Sequence, residues 1–227
     1  MNPNYNYIDT ELSAVNSILG SIGQAPVQFL DLENPEVSLI HNILQECTID
    51  VLNEGWHFNT ESHITLIPDK DGYIYIPPNA LSYDISEGQN YKLKDVALRD
   101  GRLYDKTNHT FVFTNKLDID VVWLYGFDAD LTTDQENFGG TALSRSSTAG
   151  QSIPSVFKRY IIAKACVKAA NQLVNNLQLV ESLRTQETIT RASCMEYECN
   201  CGDWSYLGTP ESSIYNSYKP YITLSRN

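Results

Sequence analysis

Four cations in one stretch, Lys158, Arg159, Lys164 and Lys168, are the residues whose type and spacing best suit an interaction. On a helix, positions 164 and 168 stand one turn apart, so their ammonium groups share a face. Such a face can neutralise acidic helices elsewhere in the chain, or it can meet a partner or a nucleic acid. Three other groupings match no recognised chemistry. His57 and His63 flank Glu61 without a third ligand or an acid/base spacing. Cys194, Cys199 and Cys201 lack the paired spacing of a zinc finger or ribbon. Asp128, Asp130, Asp134 and Glu136 could attract calcium, but Thr133 stands where the twelve-residue loop needs glycine. The chain has no GxSxG elbow, and Gly139-Gly140 is not followed by the Gly-Lys-Ser/Thr of a phosphate loop. Its carboxylates are numerous enough for a glycan-cleaving pair, although abundance does not supply the separation such a pair requires.

The cations must be positioned by the stretch 153–201. Pro154 suits a helix start, and Phe157, Tyr160, Ile161, Ala165, Ala169, Gln172 and Leu173, with the Lys168 stem, mark one broad buried face. Asn175-Asn176 predicts a break, after which Leu177, Val180, Leu183, Glu187, Arg191, Cys194 and Met195 continue as a second, more polar helix. A helical hairpin cannot bury its apolar stripes alone. Partners are predicted in the N-terminal third: a helix capped by Thr10, with Leu12, Val15, Ile18 and Leu19 repeating up to Gly23, and another from about Glu36 carrying Val37, Ile40, Ile43, Leu44, Cys47, Val51 and Leu52.

Between the helix pairs the grammar changes. Short β-branched and aromatic runs, among them residues 64–69, 72–78, 91–107, 109–115 and 119–127, are separated by Pro, Gly, Asp and Asn. Alternation predicts strands at 73–76, 111–113 and 118–123, with Pro77-Pro78 stopping the first. The predicted fold class is α+β, an antiparallel bundle of four main helices with an inserted small β-rich domain. The divisions are 1–61 for the N-terminal helices, 62–128 for the β-rich insertion, 129–152 for an acidic and Ser/Thr/Gly-rich loop, 153–201 for the returning hairpin and 202–227 for an extended aromatic arm. In that arm Trp204, Tyr206, Tyr215 and Tyr218 are candidate partner contacts.

Composition bounds the function. The 227 residues carry a formal net charge of -12, which disfavours generic adhesion to DNA or to an anionic membrane. Residues 1–69 contain no Lys or Arg, whereas 155–191 hold six cations against two acids. Separated signs favour docking of the two regions within one copy, or head-to-tail contact between copies. No signal peptide or membrane-length apolar run is apparent, so a soluble, non-secreted chain is expected. Five cysteines, an odd number, fit a reducing compartment better than a disulfide scaffold. No cofactor is expected.

Several blocks resemble the tail tubular protein A family of short-tailed bacteriophages: ELSAVNSILGSIGQAPV at 11–27, GWHFNTESHITLIPD at 55–69, GRLYDKTNHTF at 101–111, IPSVFKRYIIAKA at 153–165 and ASCMEYE at 192–198. The resemblance implies a structural adaptor or gatekeeper, twelve copies forming a ring between portal protein and tail nozzle protein, around the channel through which double-stranded DNA passes during ejection. It implies a place in the virion tail at the portal-tail junction, with assembly in the host cytoplasm and no membrane partner. Within the matched blocks, Leu12, Val15, Ile18, Leu19, Gly23, Pro26, Trp56, Phe58, Tyr104, Phe157 and Tyr160 look like scaffold positions, and no catalytic residue is implied. The competing expectation is a virion-associated glycan-cleaving enzyme using paired carboxylates.

Overall fold

A computed structural model describes residues 10–86, 95–127 and 153–201. The expected 129–152 loop and the aromatic arm, with Trp204, Tyr206, Tyr215 and Tyr218, lie outside the described residues. Among the described residues the architecture is α+β: four helices with small antiparallel sheets, and all five strands fall between the second and third helices.

Helix α1 spans Glu11–Ser21. Thr10 opens it, its side-chain oxygen accepting the Ser13 N–H at 3.2 Å, which satisfies one of the free donors of the first turn. Ala14, Val15, Ile18 and Leu19 form the buried stripe, with Leu12 half-buried at its edge. Gly23, at φ +82°, adopts the left-handed conformation that ends the helix. The return past Pro26 is held by Asn16, whose amide donates to the Val27 carbonyl at 2.9 Å and accepts the Val27 N–H at 2.7 Å. Helix α2, Pro35–Leu52, is capped by Asn34 with proline at its first position and buries Val37, Ile40, Ile43, Leu44, Cys47, Val51 and Leu52.

A buried amide then turns the chain from helix into sheet. Asn59 is fully buried; its Nδ2 donates to the carbonyls of Leu52 and Trp123, and its Oδ1 accepts the Trp56 N–H. The strands are β1 (Thr60–Leu66), β2 (Ala80–Ile85), β3 (Val96–Arg99), β4 (Arg102–Asp105) and β5 (Leu117–Trp123). One antiparallel sheet has the order β1-β5-β2, and β3 pairs with β4 in a second. The central strand alternates cleanly: Leu117, Ile119, Val121 and Trp123 are buried while Asp118 faces solvent. Asp100 and Gly101, both at positive φ, make the two-residue turn joining β3 to β4, which matches the right-handed twist of the flanking strands.

The strand reading needs correction in three places. Residues 73–76 form no strand, only a bridge from Tyr75 to Arg102. Their polar backbone is satisfied piecemeal instead: Asp69 Oδ1 accepts the Tyr73 N–H, Leu103 N–H donates to the Ile74 carbonyl, and Pro77-Pro78 cannot extend a ladder. Residues 111–113 likewise form no strand; next to them Thr110 makes one bridge to Asp105. The third is β2, which was not anticipated. Its face alternates only between exposed and half-buried, so its apolar signal is weak beside that of β5.

Helix α3, Ser155–Ala169, is the hub on which α1, α2 and α4 all pack. Phe157, Tyr160, Ile161, Ala165 and Ala169 are buried, as their spacing predicts. A π-helical turn, Ala170–Val174, follows, and Asn175 at φ +51° reverses the chain. Here the predicted face fails. The extra residue per turn rotates Gln172 and Leu173 outward, and Leu173 is 45% exposed. Asn176 caps α4, Leu177–Cys201, by accepting the Gln178 N–H at 3.0 Å. Val180, Leu183 and Cys194 are its buried residues, whereas Leu177 and Met195 of the expected stripe are exposed. Among the described residues a single apolar cluster joins helices to strands.

Candidate functional site

The α2 carboxylates recur every four residues, at Glu46, Asp50 and Glu54, and therefore lie along one side of the helix and its exit. Antiparallel packing brings the α3 cations alongside. Lys168 Nζ donates to Glu46 Oε2 at 2.5 Å, and Lys164 Nζ lies 3.9 Å from Asp50. The third carboxylate is met from α4: Arg191 Nη1 and Nη2 approach the two Glu54 oxygens at 3.0 and 2.9 Å, and Nη1 also donates to the Tyr160 hydroxyl at 2.6 Å. The hydrogen bond to Glu46 holds the Lys168 ammonium above the usual lysine value. Glu54 and Tyr160 do the same for Arg191, while burial pushes the Tyr160 phenol up. Three carboxylates of the acidic N-terminal third and three cations of the basic hairpin thus pair within one copy.

The four candidate cations consequently differ. Lys164 and Lys168 point into the carboxylate ladder. Lys158 is buried, its ammonium 5.0 Å from the centre of the Phe127 ring, where the negative face of the ring attracts it. Arg159 is exposed and has no ion-pair partner among the described residues. The structure therefore brings together two of the four and separates the others.

The scaffold positions gather elsewhere. Phe157 lies 4.8 Å from Trp56, 4.6 Å from Phe58 and 5.7 Å from Tyr197, ring centre to ring centre. This cluster fastens the start of α3 to the helix-to-sheet turn and to α4. Tyr104 sits apart in the β3-β4 hairpin, 4.9 Å from Phe111.

The histidines do not converge. His41 and Gln45 reach Glu11 Oε1 at 2.9 and 2.6 Å, clipping α2 to α1. His57 contributes its backbone N–H to Glu198, and His63 donates its own to Ser86 and Asp120 from a bulge at φ +59°. Asp118 accepts from Thr65 at 2.6 Å, and Asp120 from Ser86, so the central-strand carboxylates are engaged structurally. Cys194 is buried and Cys199 and Cys201 are exposed. Among the described residues no group of three or more His, Cys, Asp or Glu could hold a metal ion.

One arrangement escaped the sequence reading. Arg99 lies 3.9 Å over the Tyr104 ring, and Arg102 lies 4.9 Å from the Tyr73 ring centre and 5.3 Å from that of Phe111. The Arg-Asp-Gly-Arg run in a hairpin turn was the available signal, since it puts the two arginines opposite each other.

The profile of a family described as tail tubular protein matches residues 12–133, more than half of the chain. The chain belongs to the tail tubular protein family. It is thereby a structural protein of the bacteriophage tail. Tail tubular protein A of Klebsiella phage KP34 is 31% identical over 114 residues, covering 49% of this chain and 58% of that relative. The aligned part thus spans less than two thirds of the relative's length. Both the cations of α3 and the end of α4 fall beyond the family match, while the carboxylate ladder and the arginine-aromatic hairpin fall inside it. Among the described residues no helix of this family member is long and apolar enough to cross a membrane.

Proposed function

We propose that the chain is a ring-forming adaptor, twelve copies of which join the portal protein to the tail nozzle protein and surround the channel for double-stranded DNA. Membership of the tail tubular protein family carries the reading. The α3 helix supports it by a physical argument: Lys164 and Lys168 are spent on carboxylates of the same copy, which leaves fewer cations on this helix to hold passing DNA. In this reading the four helices act as an antiparallel bundle forming the wall of the ring, and 62–128 is an inserted β-rich domain flanked by the 129–152 loop. Arg159, exposed on α3, is the candidate contact for portal or neighbour, together with Trp204, Tyr206, Tyr215 and Tyr218 of the 202–227 arm. The site of action is the portal-tail junction of the virion, after assembly in the host cytoplasm.

Imaging of the chain in a complete particle tests the proposal. A ring at the portal-tail junction is expected; a place on an external fibre or inside the capsid overturns it.

A further inference from the structure

The Arg99 and Arg102 guanidiniums lie close to aromatic rings, and no carboxylate ion-pairs with either among the described residues. A guanidinium attracted to a ring keeps N–H donors that can meet carboxylate oxygens. Tyr75, bridged to Arg102 and half exposed, adds apolar surface beside them. The face is cationic and aromatic in a chain of net charge -12.

Its chemical complement lies in the corner between α1 and α2. Phe29 and Leu32 are 69% and 56% exposed, and Asp31, Glu33 and Glu36 beside them are exposed as well. The corner is ordered by its own contacts: Asn16 clamps Val27, Asp31 accepts the Glu33 N–H at 3.0 Å, and Asn34 caps α2. It presents acids and apolar side chains with little further ordering to be done. Among the described residues no ion pair joins the two surfaces within one copy. The corner precedes α2, whereas the strands are reached from the other end of that helix, where Asn59 ties Leu52 to Trp123. The 18 residues of α2 put about 27 Å between those ends.

We propose that the arginine-aromatic face of the β3-β4 hairpin docks a second copy of this chain, through residues 29–36 of that copy. The contact is heterologous, so repeating it closes a ring or extends a filament. This inference rests on the ring-forming reading and names the surfaces that carry it.

Charge reversal tests the pairing. Arg99→Glu with Arg102→Glu, and separately Asp31→Lys with Glu33→Lys, should each weaken copy-to-copy association by about tenfold or more, measured by sedimentation of the concentrated full chain. An equimolar mixture of the two variants should recover association, because each then offers the other a complementary face. Loss without recovery in the mixture, by variants that keep the wild-type circular dichroism, overturns the pairing. A photo-cross-linking aromatic at Tyr75 supplies the second measurement, read in solution and in assembled tails. Cross-links to residues 29–36 of another copy are expected. Cross-links to another part of a neighbouring copy, or none to any copy in the assembled tail, overturn this face; the ring itself stands or falls on the imaging. Salt-sensitive retention of duplex DNA that the arginine reversals abolish, with association unchanged, assigns the face to nucleic acid and also overturns the proposal.

Discussion

Truncating Phe157 should loosen the molecule more than any loss of surface charge. The ring is fully buried and touches Trp56, Phe58 and Tyr197 at centre-to-centre distances of 4.8, 4.6 and 5.7 Å. Phe157→Ala removes the transfer free energy of the ring and leaves a cavity between three elements that cannot all collapse into it. Such truncations cost about 3–5 kcal/mol. For a chain of this size each kcal/mol moves the thermal midpoint by roughly 2–4 °C, so a fall of about 6–20 °C is expected. Phe157→Leu keeps most of the apolar volume and should cost about a third as much. Urea titration followed by circular dichroism, with intrinsic Trp fluorescence as a second probe, measures both. A double-mutant cycle with Tyr197→Leu should return a coupling of about 0.5–1.5 kcal/mol, the share due to the edge-on pair. A cost below about 1.5 kcal/mol for Phe157→Ala would refute the reasoning, because the three elements would then hold together without the ring.

The carboxylate ladder should matter far less: Lys168→Ala and Lys164→Ala should each cost about 0–1 kcal/mol in urea titration, shrinking further at high salt, since both acid partners are more than half exposed. Gly72→Ala should destabilise by about 1 kcal/mol or more, read by thermal melting, because Gly72 has φ +83° and an added Cβ would come 2.7 Å from Val112. Thiol labelling of the native chain at pH 8 should mark Cys199 and Cys201 and spare Cys47, Cys166 and Cys194, as counted by mass spectrometry. Burial pushes Cys47 and Cys194 up to about 11 from 9.0, so between those values the folded chain binds more protons than the unfolded one. The stability these thiols contribute is therefore complete below pH 9 and falls as pH rises toward 11, which denaturant titration across that window would detect.

Much of the helical half could be read in advance because its signals are local. Thr10, the Val15-Ile18-Leu19 spacing and the Asn175-Asn176 break each act within a turn or two of chain. The position of the cations on α3 was equally legible, but their partners were not. Glu46 and Lys168 are separated by 122 residues, and only the antiparallel packing of α2 on α3 makes them neighbours. The strand errors have a related cause. Residues 73–76 alternate as a strand should, yet a ladder also needs a second strand in register, and that is a property of the fold rather than of the segment. Gln172 and Leu173 were misplaced because a π-helical turn shifts the angular period by one residue without leaving a mark in composition. The arginine-aromatic face went unseen for the same reason as the ladder: Tyr73, Arg102 and Phe111 come from three separate runs.

The apolar cluster that runs unbroken from the α1 stripe through Phe157 to the β5 alternation has a mechanical meaning. A protein with two cores yields at the seam between them, and a load applied to one part is partly absorbed there. With Trp56, Phe58 and Asn59 welding the end of α2 to the sheet, the described segments offer no such seam. Pressure against the strands would reach α3 as displacement, not as bending.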